Sequence, residues 1–198
     1  MELQDSQNLW SIEEFLFPAK ITDGAIPSFI VPIKPRWAHN LFDEKLANQT
    51  IFGTQKTQLA LNREAVYYKS KRGAKKLKPG VTGRILWYVS QDKDRGYTGV
   101  SAIRACSRLD EVIIGKPRDL YRLFRNLGIY EWSDIFKLTN NDENQEIMAL
   151  RFSDTELFKR PVPLKQIQQI LKNNSTMQSP RFIPPNTFAI IYKLGHEL

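Results

Sequence analysis

From Ser28 onward the apolar positions fall into short strand-like runs broken by turn residues, with helical spacing at only a few places. Ser28-Phe29-Ile30-Val31-Pro32-Ile33 is rich in β-branched and aromatic side chains, and residues 37–46 follow with Trp37, Leu41 and Phe42 on one helical face. Residues 65–70, 83–90 and 99–106 are the next strand candidates, separated by turn chemistry at Pro79-Gly80 and Arg95-Gly96. Consecutive strands without intervening helices predict antiparallel pairing in a small barrel-like sheet. Past Gly115, Pro117 opens a helix in which Leu120, Leu123, Phe124 and Leu127 recur at i, i+3, i+4 and i+7, and Gly128 stops it. Residues 146–152 read as a strand, residues 164–171 as an amphipathic helix after Pro163, and residues 187–194 as a last short helix after Pro184-Pro185. Ahead of this body, residues 9–17 form an amphipathic piece that predicts a short helix ended by Pro18. A linker containing Asp23-Gly24 and Pro27 follows.

Composition refines this outline. The chain has 198 residues, 41% apolar and 25% charged, the balance of an ordinary globular protein. Its net charge of +8 is unevenly placed: residues 1–28 carry five acids and one base, leaving 28 bases and 16 acids, or +12, on the rest. The division is therefore an acidic N-terminal arm, residues 1–28, and a basic domain, residues 29–198, on which the arm packs and whose charge it shields. So basic a body attracts polyanions in a salt-dependent way. No stretch approaches the roughly 18 apolar residues of a membrane span, and the N-terminus lacks the basic-then-apolar order of a secretory signal. The expectation is a cytoplasmic protein that does not enter membranes. A single cysteine, Cys106, excludes an internal disulfide, and His39 and His196 have no metal-ligand spacing to it, so neither a metal nor a cofactor is expected. Cys106 itself falls in a run of small residues and reads as a buried hydrophobe.

Candidate chemistry concentrates in residues 67–90. Six of the ten positions from Lys69 to Lys78 are basic (Lys69, Lys71, Arg72, Lys75, Lys76, Lys78), and no Asp or Glu occurs between Glu64 and Asp92. Phosphate is a natural counter-ion for such a patch, and Tyr67, Tyr68, Trp87 and Tyr88 beside it are rings on which an unpaired base stacks. The competing reading is a solvated lysine loop between core strands. Strand parity puts Ile85, Trp87 and Val89 on one face and Arg84, Leu86, Tyr88 and Ser90 on the other. Trp87 is then a core residue, while Tyr88 and Ser90, next to Arg84, are candidates for contacting a base. Parity also allows only one of Tyr67 and Tyr68 to line a given pocket, with Lys69 and Ser70 on opposite faces after them. The whole run reads as two adjacent strands joined by the lysine loop. Trp37 either anchors the first helix or caps a pocket beside Lys34. Arg104 interrupts an otherwise small, apolar strand, so it reaches solvent or serves an anionic ligand. Arg118, Arg122 and Arg125 form a stripe on the helix after Pro117 that either confers solubility or tracks phosphates.

The order of these signals resembles the PUA-like superfamily, which includes the ASCH, EVE and YTH domains. The resembling pieces are Ile33-Lys34-Pro35-Arg36-Trp37-Ala38 leading into Leu41-Phe42, then Val66-Tyr67-Tyr68-Lys69-Ser70, Leu77-Lys78-Pro79-Gly80 before Ile85-Leu86-Trp87-Tyr88-Val89-Ser90, and Gly96-Tyr97-Thr98-Gly99-Val100. Met177-Gln178-Ser179-Pro180-Arg181-Phe182-Ile183 before Phe188 resembles the tail of PUA-like domains fused to acetyltransferases. The resemblance implies an α+β pseudobarrel of mostly antiparallel strands with flanking helices, used to bind RNA or DNA, often around one modified or flipped base. ASCH relatives with ribonuclease or amidohydrolase activity carry a Lys and an Arg whose counterparts here are Lys34, Lys56 and Arg63. The acidic residue expected just before that Arg is replaced by Leu61 and Asn62, which departs from the hydrolytic pattern. Nor does the chain have the Gly-rich pyrophosphate turn that acetyl-CoA needs. Three functions follow as expectations. The first is a nucleic-acid-binding domain for RNA or single-stranded DNA. The second is a hydrolase using Lys34 or Lys56 with Arg63. The third is a module that docks an acidic protein such as an acetyltransferase.

Overall fold

The computed structural model of the protein describes residues 2–42, 63–92, 101–174 and 176–197. Along the chain run α1 (Glu2–Leu16), β1 (Ser28–Ile33), α2 (Pro35–Leu41), β2 (Glu64–Ser70), β3 (Gly83–Val89), β4 (Ala102–Gly115), α3 (Pro117–Phe124), α4 (Trp132–Lys137), β5 (Ile147–Pro163), α5 (Leu164–Leu171), β6 (Arg181–Ile183) and α6 (Pro185–His196). The strands form one mixed sheet in the order β2-β5-β4-β3-β1-β6.

The long β4–β5 ribbon gives the sheet its curvature. Its register shifts between Ile103 and Ala105, Cys106 and Arg108, and Leu109 and Glu111. Each irregularity adds local twist, so the far half of the ribbon carries β2 round towards β1. β1 pairs with β6 only from Ser28 to Ile30, leaving its later half an open edge. Across that opening the Tyr67 hydroxyl of β2 donates to the Pro32 carbonyl at 3.3 Å. Proline fits β1 at this point because an edge requires no ladder N–H. The result is the incompletely closed barrel that the resemblance implies.

One hydrophobic cluster fills the barrel around Trp87, Phe152, Val31 and Tyr67. A second, around Ile30, Leu86, Tyr88, Phe158, Phe188 and Ile191, joins the outer face of β1 and β3 to α5 and α6. Trp87 is fully buried and donates from Nε1 to Ser107 Oγ at 2.7 Å, as its parity predicts. Cys106 is buried too, and burial pushes its thiol up to about 12.

Several expectations change. β2 and β3 are not neighbours, since β5 and β4 lie between them, and β1 runs parallel to β3. β4 and β5 extend well past the segments read from the apolar pattern. Along them Arg108 pairs with Asp110 of the same strand at 3.0 Å, and Arg151 reaches across the ribbon to Glu111 at 3.3 Å. α4 and β6 have too few periodic positions to be read at all. α3 ends at Phe124 and buries Leu120 and Phe124, so Leu123 is 63% exposed.

α1 is longer than its apolar core predicts and lies across the first residues of β3. Trp10 Nε1 donates to the Gly83 carbonyl at 3.1 Å. Arg84, 1% exposed, is paired with the buried Glu13 carboxylate, with Nε to Oε1 at 3.0 Å, and also donates to the Ile21 carbonyl. Arg108 stacks on Trp10 at 3.3 Å and reaches Glu14 at 2.7 Å. Gly83 permits the close approach of the linker before β1: at its φ of 154°, a Cβ would sit 2.1 Å from the Pro27 carbonyl.

Candidate functional site

The opening between the free edges of β1 and β2 holds two adjoining cavities, of about 550 and 300 Å³. Their common wall is Lys34, Tyr67, Lys69, Ser70 and Leu138. Local sequence explains each contribution. Pro35 ends β1 and occupies the first turn of α2, where its missing N–H costs nothing, so Lys34 is placed at the mouth. In β2 the Val66 N–H bonds the Leu127 carbonyl, away from β5. By strand alternation the backbone of Tyr68 and Ser70 also faces the opening.

The smaller cavity is aromatic. Trp37, half-buried, packs on Tyr130 at 4.3 Å between ring centroids, and Tyr130 meets Tyr68 edge-on at 5.1 Å. Arg36 lies 3.7 Å over the Trp37 ring while bonded to Asp134, so Trp37 both anchors α2 and borders the cavity beside Lys34. Both Tyr67 and Tyr68 line this cavity, which opens at the edge of β2 rather than over one face. Parity therefore does not choose between them. The Tyr68 hydroxyl is spent on the Leu120 carbonyl at 3.2 Å. Tyr130 is 6% exposed, its pKa is raised well above a free phenol's by burial, and its hydroxyl has no hydrogen-bond partner among the described residues.

The larger cavity sets polar groups among apolar walls of Pro32, Ile33, Tyr67, Leu138 and Met177. Ser70, Ser90, Arg72, Asn140, Gln145, Thr176 and Gln178 line it, with no carboxylate among them. Lys69 stands between the two cavities, its ammonium on the Ser70 carbonyl at 2.7 Å, and burial lowers its pKa to about 8. Among the described residues Lys34, Lys69 and Arg72 have no carboxylate within ion-pair distance. Lys75, Lys76 and Lys78 are exposed on the loop after β2 and line neither cavity, with Lys76 over Phe182 at 4.5 Å. Lys71 is neutralised from another element by Glu146 at 2.8 Å.

Other predicted site residues lie elsewhere. Arg84 is interior, held by Glu13 rather than offered to phosphate. Tyr88 is 3% exposed in the second cluster, because helices cover the face that parity assigned to ligand. Arg104 is half-buried and engaged, at the irregularity where β4 shifts against both neighbours. Arg118, Arg122 and Arg125 are exposed and line neither cavity, and Arg118 pairs with Glu143 at 3.3 Å. Lys56, the Gly96–Val100 motif and the end of the first predicted helix lie outside the described residues. Arg63 is bound to Asp154, six residues along the strand from Lys69, about 20 Å at strand spacing. Lys34 and Arg63 thus form no joint site. Sequence reading missed Tyr130, Asn140, Gln145 and Gln178, which sit in aperiodic loops and carry no spacing signal.

No family model and no curated protein matches the chain. Solved structures do. The chain is similar to ASCH from Zymomonas mobilis at 14% identity and a TM-score of 0.57, covering 83% of this chain and 93% of that one. The N-terminal domain of Staphylothermus marinus McrB aligns at 13% identity and a TM-score of 0.52, over 84% and 93% of the two chains. Human THYN1 protein, solved in complex with DNA containing 5-methylcytosine, aligns at 12% identity and a TM-score of 0.50, over 87% and 99%. With the curved mixed sheet, its open edge and the helices packed around it, these likenesses show that the chain has the fold of these structures, the α+β arrangement that the PUA-like resemblance implies.

Proposed function

We propose that this protein is a nucleic-acid-binding domain for RNA or single-stranded DNA, holding one base in the aromatic cavity. The observation that carries the reading is the cavity pair itself, where aromatic rings and the unpaired cations Lys34, Lys69 and Arg72 converge on one opening. The rings offer a base its π-face, and the cations neutralise the phosphates on either side. Lys75, Lys76 and Lys78 extend the cationic track outward. The complex of human THYN1 protein with DNA containing 5-methylcytosine supports nucleic acid as the ligand class and makes modified bases part of the test.

The test is fluorescence anisotropy with labelled single strands of RNA and DNA, with and without 5-methylcytosine, across a salt series. Six neutralised phosphates give a log-log salt slope of about −4, from about 0.7 per contact. Replacing Lys34 and Arg72 with Gln lowers affinity and flattens the slope by about 1.4. Absent binding, or binding indifferent to salt, overturns the reading. Co-purification of an acidic protein with little nucleic acid supports the docking module instead.

A further inference from the structure

To the wall it shares with the aromatic cavity the larger one adds Arg72, Asn140, Gln145 and Gln178. We infer that it is a second nucleotide subsite, so that the opening takes two consecutive nucleotides of one strand, a reading that rests on the function proposed above. One base enters the aromatic cavity, the next enters the larger cavity, and the phosphate linking them passes over Lys34 and Lys69.

Three observations lead there. The cavities share the Lys34, Tyr67 and Lys69 wall, and each alone, at about 300 and 550 Å³, falls within the range of about 300–1,000 Å³ found for small-ligand sites. Adjacent phosphates on one strand are about 3.4 Å apart along the axis of a helix and further apart when the strand is splayed, so neighbouring nucleotides can straddle a wall one side chain thick. The polar complement is also specific. Asn140, Gln145 and Gln178 each carry a paired donor and acceptor, the group that reads a base edge, and among the described residues no carboxylate lines this cavity to repel the phosphate. Finally, two residues on its rim hold left-handed backbone without being glycine: Asn140 at φ 54° and the buried Met177 at φ 48°. For methionine this conformation is costly, and such strain gathers at ligand clamps.

The test compares 5′-mononucleotides, dinucleoside monophosphates and a longer mixed-sequence single strand by calorimetry at one salt concentration. The mononucleotide's phosphate monoester carries more negative charge at neutral pH than the single diester of a dinucleoside monophosphate, so charge does not account for tighter binding of the latter. The best dinucleoside monophosphate is expected to bind about ten- to a hundred-fold tighter than the best mononucleotide, the increment of one further bound base. Gln178→Ala, at an exposed position, and Asn140→Gly, which keeps the left-handed backbone while deleting the amide, bring that ratio towards one. A ratio near one in the unaltered protein, or a ratio unmoved by both substitutions, overturns the subsite while binding of the longer strand upholds the parent reading. Failure of the longer strand to bind overturns both.

Discussion

Lys69 shows how a single residue changes meaning once its surroundings are known. In the sequence it is one of six bases in a cluster; in the fold it alone among them stands between two cavities with its pKa lowered to about 8 by burial. Its charge is therefore lost as pH rises through about 8, while exposed lysines stay charged to about 10.4. Affinity for a single strand is expected to be flat below that point and then to fall by up to about tenfold per pH unit. Lys69→Gln removes this dependence, and anisotropy titrations from neutral to alkaline pH read it; an identical profile in the variant discounts Lys69 as the titrating group. Stability moves the other way. The folded protein releases this proton before the unfolded chain does, so the group adds stability as pH rises from about 8 towards 10.5. Parity reasoning succeeds at Trp87 because its face is the barrel interior. It fails at Tyr88 because β3 is buried on both faces, a fact set by α5 and α6 and not by the strand's own residues.

Among the elements, α5 is legible from sequence with its bounds intact because Pro163 and an amphipathic repeat mark it. β4 and β5 are underestimated because charged residues interrupt their apolar runs, and the pairing that holds one of them, Glu111 with Arg151 across the ribbon, is invisible along the chain. α6 adds a constraint at its C-terminal end. A Cβ on Gly195 would lie 2.2 Å from Phe158 Cδ2, on the β5 strand that the helix covers. Gly195→Ala gains about 1 kcal/mol of helix propensity but incurs an overpacking cost of about 1–3 kcal/mol against that ring. The expected outcome is a lower urea midpoint; an unchanged or higher one shows that Phe158 yields freely.

For the whole molecule, the acidic arm packs into the body, with Glu13 and Glu14 paired to Arg84 and Arg108. Glu13 and Arg84 are both buried, with side chains 6% and 1% exposed. Glu13→Ala leaves the guanidinium without its counter-charge and is expected to cost about 3–5 kcal/mol in denaturant unfolding. Arg84 lies six strand positions from Ser90 at the cavity, about 20 Å, roughly two Debye lengths at physiological salt. Strand affinity of the folded variant is therefore expected to be unchanged. Tighter binding after Glu13→Ala supports the shielding role, and unchanged stability removes the structural one.

The sequence alone determined the α+β class, the positions of β1 and β3, the burial of Trp87 and Cys106, and a basic cluster beside tyrosines. These follow from periodicity, turn residues and local charge, which act over a few residues. Tertiary structure decided which strands are neighbours, that Arg84 and Tyr88 face inward, and that Tyr130, Asn140 and Gln178 join Lys34 and Lys69 at one opening. The reason is the curled β4–β5 ribbon: its irregularities bring the edges of β1 and β2 together, and no local pattern encodes a closure made between distant segments.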